Sequence, residues 1–180
     1  MLRKLILVSL VLCPASVIAD ANDGDYLGFT LGRKFDAPKG AVSYDHITGA
    51  LVYNIDPGDH PHHIDSMSIY VSPKGSIVGS IFGEWYFDSS RMAKAFADRY
   101  MARLKEKYPD WRRRDSSLSN GEYQLWVDVE EKPPIVDYWP SRLNVRVAIG
   151  LIYAPDSQGR HDWMALIKSE LGEVEFAATE

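Results

Sequence analysis

The chain has 180 residues, a formal net charge of −5 and a hydrophobic fraction of 46%. This length fits one domain, and the apolar content excludes an intrinsically disordered chain, because enough surface can be buried to offset the entropy of ordering. The acidic balance argues against broad binding to nucleic acids or anionic membranes, both of which favour basic surfaces.

The first 19 residues have the features of a secretory signal peptide. Arg3 and Lys4 form a positive start, an apolar run occupies residues 5–13, and Ala19 stands at the small-residue cleavage position. That run is less than half of the ~20 residues that span a bilayer. We therefore expect a signal peptide over residues 1–19, cleaved after Ala19, rather than a membrane anchor.

Cleavage there leaves 161 residues, a net charge of −7 and no cysteine, since Cys13 is the single cysteine of the chain. A lipoprotein signal has a small residue directly before its cysteine, whereas Leu12 precedes Cys13. We therefore expect cleavage after Ala19 rather than a lipid-modified start at Cys13. A mature chain without cysteine excludes thiol nucleophiles, disulfides and Cys-ligated zinc or iron–sulfur sites. Export without disulfides indicates one soluble domain, residues 20–180, in a bacterial periplasm.

The first half of this domain has the alternation that is typical of antiparallel strands. We predict strands at 26–31, 42–46, 51–55, 67–71 and 77–87, with turn residues between them. Gly79 and Gly83 interrupt the last of these strands, which indicates a β-bulge or a close approach of another segment to the backbone.

A long helix is predicted at about 89–108. Met92, Phe96, Tyr100 and Leu104 recur every four residues, the spacing of a helix with one buried face. Pro109 then ends the helix.

The second half contains two further strands and a second helix. A polar loop is predicted at 111–120, strands at 123–129 and 143–151, and a shorter helix at about 162–171. The order of elements predicts an α+β fold in which the two helices pack on one face of an antiparallel sheet built from hairpins.

A histidine-rich loop is the first candidate site. Asp59, His60, His62, His63 and Asp65 supply imidazole and carboxylate groups, which are ligands for divalent transition metals. Their spacing matches no established metal motif, so no cofactor is expected. A metal-binding protein or a metal-dependent hydrolase built on this loop is the alternative function.

Two segments rich in aromatic residues and arginine are candidates for partner binding. Tryptophan, tyrosine and arginine dominate interface hot spots, and prolines near 133–140 lower the cost of ordering the second segment. The candidate residues are Trp111, Arg112, Arg113, Arg114, Ile135, Tyr138 and Trp139.

The sequence contains no nucleophile elbow, P-loop or dinucleotide-binding motif. With its signal peptide and α+β layout, the chain resembles small exported bacterial proteins that bind or block another protein, including immunity proteins against secreted toxins. We therefore expect a non-enzymatic inhibitor or immunity protein. Its acidic charge favours a basic toxin or hydrolase as the partner. An accessory factor for envelope assembly is a further alternative.

Overall fold

A computed structural model describes residues 21–36, 42–56, 64–75, 77–131 and 145–177. The predicted signal peptide lies outside these ranges. So do four of the five candidate metal ligands and the second partner-binding segment: Asp59, His60, His62, His63, Ile135, Tyr138 and Trp139.

The described residues form ten strands, a short 3-10 turn and two α-helices. The strands are β1 (Asp25–Tyr26), β2 (Phe29–Thr30), β3 (Val42–Tyr44), β4 (Leu51–Ile55), β5 (Ser66–Val71), β6 (Val78–Phe87), β7 (Arg112–Arg114), β8 (Ser117–Ser119), β9 (Tyr123–Glu131) and β10 (Val145–Tyr153). The 3-10 turn is Ala21–Asp23, and the helices are α1 (Ser90–Lys107) and α2 (Gln158–Ala177).

Eight of these strands form one antiparallel sheet in the order β3-β4-β5-β6-β10-β9-β8-β7. β1 and β2 make a separate hairpin. The chain builds the sheet as two four-strand meanders separated by α1, and the meanders meet where β6 pairs with β10. The predicted α+β class with an antiparallel sheet and two helices is confirmed.

α1 covers one face of the sheet, which we call the closed face. Ser89 caps the helix by accepting a hydrogen bond from the backbone N–H of Met92. Leu104 is fully buried in the core that includes Ile81 and Trp85 of β6. The predicted apolar stripe is displaced by one position at its start, because Ala93 is buried while Met92 is 56% exposed. A helix packs through residues three and four apart, and the buried Ala93, Ala97, Tyr100 and Leu104 have this spacing.

α2 lies on the opposite face of the sheet. A β-bulge between β5 and β6 pairs Tyr70 with Ser80 and Val71 with Val78, so Gly79 is the extra residue. Trp163 of α2 lies directly on Gly79, where a Cβ would come within 1.3 Å of the indole nitrogen. The close approach predicted from Gly79 is therefore present. Because it brings α2 against the face opposite to α1, the prediction that both helices pack on one face is corrected.

α2 extends beyond both of its predicted ends. It begins at Gln158 because the Ser157 hydroxyl accepts a hydrogen bond from the backbone N–H of Arg160. Glu170 fixes the helix to the β5–β6 turn, since its buried carboxylate accepts a hydrogen bond from the Lys74 N–H over 2.8 Å. Neither helix of the described ranges is long and apolar enough to cross a membrane.

The segment predicted as a polar loop at 111–120 is instead a hairpin of β7 and β8. A tight turn joins the strands, with Asp115 at a φ of +48°. Leu118 is fully buried and anchors the hairpin to the core. One apolar residue between two serines is too short a pattern to predict a strand from sequence.

Candidate functional site

α2 covers only one end of its face of the sheet. The helix contacts Gly49, Tyr70 and Gly79, which lie near the ends of β4, β5 and β6 where these strands meet their connecting turns. We call the remainder of this face the open face. Strand pairing places the following side chains on it: Phe82, Glu84, Tyr86, Arg112, Arg114, Ser117, Trp126, Glu130 and Arg146.

Three aromatic rings form a row that begins beside α2 and continues onto the open face. The ring centroids of Tyr70 and Phe82 are 5.4 Å apart, and those of Phe82 and Trp126 are 6.1 Å apart, both in edge-to-face arrangements. Gly150 lies in β10, between the strands that carry Phe82 and Trp126. A Cβ at Gly150 would come within 2.3 Å of the Phe82 ring. The absence of a side chain at Gly150 thus allows Phe82 to lie across β10 and contact Trp126.

A row of fixed charges runs beside the aromatic rings. The Arg146 guanidinium binds Glu84 through Nη1 over 2.9 Å and Glu130 through Nη2. The Tyr86 hydroxyl donates a hydrogen bond to the other oxygen of Glu84 over 2.8 Å. Two ion pairs and this hydrogen bond restrain all four side chains, so the row is rigid before any partner binds.

The partly buried position of Tyr86 beside Glu84 determines the protonation state of its phenol. Burial raises the pKa of the Tyr86 phenol above its usual range, and the hydrogen bond to the Glu84 carboxylate adds to the effect. Asp65 fixes the backbone at this position by accepting a hydrogen bond from the Tyr86 N–H over 2.8 Å. Tyr86 therefore stays protonated and acts as a hydrogen-bond donor at neutral pH.

β7 forms the edge of the sheet beside the open face. Arg112, Arg113 and Arg114 are all exposed, and none of them forms an ion pair with another described residue. A groove of about 1070 Å³ lies between this strand and the loop 154–156, with Gln124 and Trp126 among the residues that line it. The three predicted arginines are thus brought together with a tryptophan that the sequence did not single out.

Trp111 is not part of this exposed group. It is 3% exposed, its ring centroid lies 4.8 Å from that of Tyr108, and its indole N–H donates to Asn22 over 2.9 Å. The expectation that Trp111 anchors a partner is therefore corrected. The end of α1 and the first described turn cover its ring, a contact between distant segments that local sequence does not reveal.

The predicted metal loop contributes one described residue. Asp65 is exposed, and its carboxylate accepts a hydrogen bond from the backbone N–H of Tyr86 in β6. Within the described ranges, no three His, Cys, Asp or Glu side chains are grouped so that they could hold one metal ion. Metal binding by the remaining residues of the loop stays a prediction.

The charged row was not predicted from the sequence. The available signal was one charged residue within each of two predicted strands, Glu84 and Arg146, and another directly after a third predicted strand, Glu130. Their contact depends on the register of β6, β10 and β9, which these patterns do not specify.

Comparisons of the chain with protein-family models, with curated proteins and with solved structures give no match. The functional argument therefore depends on the geometry of the open face.

Proposed function

We propose that this chain is an exported, non-catalytic protein-binding protein and that the open face, with its arginine edge, contacts the partner. The observation that carries this proposal is the placement of the partly exposed Trp126 and Phe82 on a sheet surface that no described helix covers, next to three arginines without ion pairs among the described residues. Aromatic residues and arginine supply most of the energy at protein interfaces.

The rigidity of the surface supports the same function. Trp126 and Phe82 project from long central strands, and the neighbouring charges are already paired with one another. A partner that binds such a surface loses little additional side-chain entropy, because the rings and the charged groups are held before contact. The open face thus offers a preorganised centre with polar groups around it, the usual anatomy of an interface.

The most concrete form of this function is an inhibitor or immunity protein in the periplasm that covers a secreted toxin or hydrolase. The sequence features of residues 1–19 support export. The overall acidic charge would steer the protein toward a basic partner, while the arginine edge selects a local acidic feature on that partner.

Site-specific photo-crosslinking in the native host tests this function. A photoreactive phenylalanine analogue replaces Trp126 in one variant and Met92 in a control variant. Met92 is 56% exposed on α1, so it reports contacts of the opposite side of the molecule. We expect a discrete protein adduct from position 126 and at least ten-fold less from position 92. Equal adduct yields from both positions, or no adduct at 126 in folded protein, would contradict the proposal.

A further inference from the structure

β7 combines two properties that bear on how it could bind a partner. It is a terminal strand of the sheet, so its outer backbone N–H and C=O groups pair with no other described strand. Its three residues, Arg112, Arg113 and Arg114, are all exposed cations. The first property offers a template for an added strand, and the second determines the charge of the strand that fits.

The hairpin that carries β7 is held in place before anything binds. Ser117 donates a hydrogen bond to the carbonyl oxygen of Arg114 over 2.9 Å, and the ammonium group of Lys105 donates to the carbonyl oxygen of Trp111 over 2.8 Å. The buried side chains of Trp111 and Leu118 fix both strands to the core. An added segment would therefore pair with a strand whose backbone is already extended.

From these features we propose that β7 binds an extended acidic segment of the protein partner as a ninth strand of the sheet. This inference rests on the proposed function and specifies how the partner is recognised. Charge complementarity selects the occupant, because three arginines without ion pairs among the described residues stand in a chain whose net charge is −5. Main-chain hydrogen bonds supply affinity in this mode, and alternate side chains supply specificity.

The alternation of the strand predicts the pattern of the occupant. Arg112 and Arg114 pair with Ser119 and Ser117 and point to the groove side, whereas Arg113 pairs with Leu118 and points to the other side. Acidic residues spaced two apart in the added strand would lie beside Arg112 and Arg114. Arginine binds carboxylates in a bidentate geometry, which favours this pairing over contact with a diffuse negative surface.

The test uses the mature protein and a fluorescein-labelled peptide of eight residues that alternates glutamate and valine. A second peptide alternates lysine and valine, and a third has the acidic sequence with N-methyl groups on its four central amides. Fluorescence anisotropy should show binding of the acidic peptide. The lysine peptide and the N-methylated peptide should bind at least ten-fold more weakly, because one lacks the charge and the other lacks the backbone donors.

Two protein variants separate the arginine edge from general charge. Arg112→Gln, Arg113→Gln and Arg114→Gln together should weaken binding of the acidic peptide at least ten-fold. The control replaces the exposed Arg91, Lys94 and Arg99 of α1 by glutamine, which removes the same charge from another surface. This control should bind within two-fold of the wild type, and the peptide comparisons remain informative if a variant folds poorly.

Three results would overturn the inference. Equal binding of the N-methylated peptide would mean that charge alone is recognised. Tighter binding of an eight-nucleotide single-stranded thymidine oligomer would indicate phosphate recognition. Lack of peptide binding at millimolar concentration would mean that the arginines only protect the edge from pairing, as edge charges do in many sheets. None of these results affects a crosslink at position 126, so failure of this inference is distinguishable from failure of the proposed function.

Discussion

The two faces of the sheet are built from the same strands but have opposite chemistry. On the closed face, α1 covers Ile81, Trp85 and their neighbours, which are buried and apolar. On the open face, Phe82 and Trp126 alternate with charged side chains and are only partly buried, although Phe82 directly follows Ile81 in β6. One strand thus contributes alternate residues to the core and to a recognition surface.

This difference shows that the two helices have unequal roles. α1 lies along β6, β9 and β10 and buries its apolar stripe over the centre of the sheet. α2 crosses one end of the other face and is held by a few defined contacts, which include Trp163 on Gly79. Folding free energy should therefore concentrate on the closed face, and binding free energy on the open face.

A pair of tryptophans in the two faces provides the largest expected effect. Trp85 is 5% exposed and contacts Phe96 and Tyr100 at centroid distances of 5.3 and 5.8 Å. Trp85→Ala should lower the free energy of unfolding by ~3–5 kcal/mol, the range for emptying a large aromatic core site. Trp126→Ala should cost less than half of that, because its ring is only partly buried. Urea denaturation of both variants measures this difference, and equal losses would contradict the division between the faces.

The contact of α2 with the sheet gives the second effect. Gly79→Ala would place a methyl group inside the space of the Trp163 indole, so the helix must shift, at a cost of ~1–3 kcal/mol for overpacking. Gly172→Ala in the same helix is the control, since its Cβ would meet nothing within 4 Å. That control should be neutral or stabilising by up to ~1 kcal/mol. Thermal unfolding compares the two, and a Gly79→Ala variant as stable as wild type would show that Trp163 is not seated on the sheet.

The features that the sequence predicts correctly depend on residues close together in the chain. The features that it misses depend on contacts between residues far apart in the chain. The longer strands of the sheet, α1 and the bulge near Gly79 depend on local alternation and on single glycines, so they were predictable, whereas the short strands β7 and β8 were predicted as a loop. Trp111 was assigned to a surface because its cover comes from Tyr108 and Asn22, and Asn22 is 89 residues away. The triad of Glu84, Arg146 and Glu130 likewise depends on strand register, which alternation leaves open.

The charged row of the open face gives the third effect. Arg146→Met would leave Glu84 and Glu130 without their cation, and loss of the partner of a partly buried acceptor should cost ~1–3 kcal/mol. The double variant Arg146→Met with Glu84→Gln should recover part of this loss, since one unpaired carboxylate is removed. Chemical denaturation of the three proteins measures the recovery. If the double variant is less stable than the single one, the two groups do not interact as the ion pair requires.

Alkaline pH gives the smallest effect and involves one tyrosine on each face. Burial raises the pKa of Tyr26 on the closed side and of Tyr86 on the open face above that of an unfolded tyrosine, about 10. A raised pKa leaves stability unchanged below pH 10 and lowers it as the pH increases beyond 10, because only the unfolded chain then loses the proton. Tyr26→Phe and Tyr86→Phe should each flatten this decline, because each removes one phenol that only the unfolded chain deprotonates in this pH range. Unfolding measured from pH 8 to 11 should show a shallower decline for each variant than for the wild type. A decline as steep as that of the wild type would contradict a raised pKa at the substituted position.

The central claim is that the open face recognises a partner protein, and the affinity of Trp126→Ala for the crosslinked partner tests it most directly. We expect binding to weaken by about 2 kcal/mol or more, roughly 30-fold in Kd, as for a hot-spot residue. Circular dichroism should show that the variant remains folded. A folded Trp126→Ala protein that binds the partner with wild-type affinity would contradict the claim.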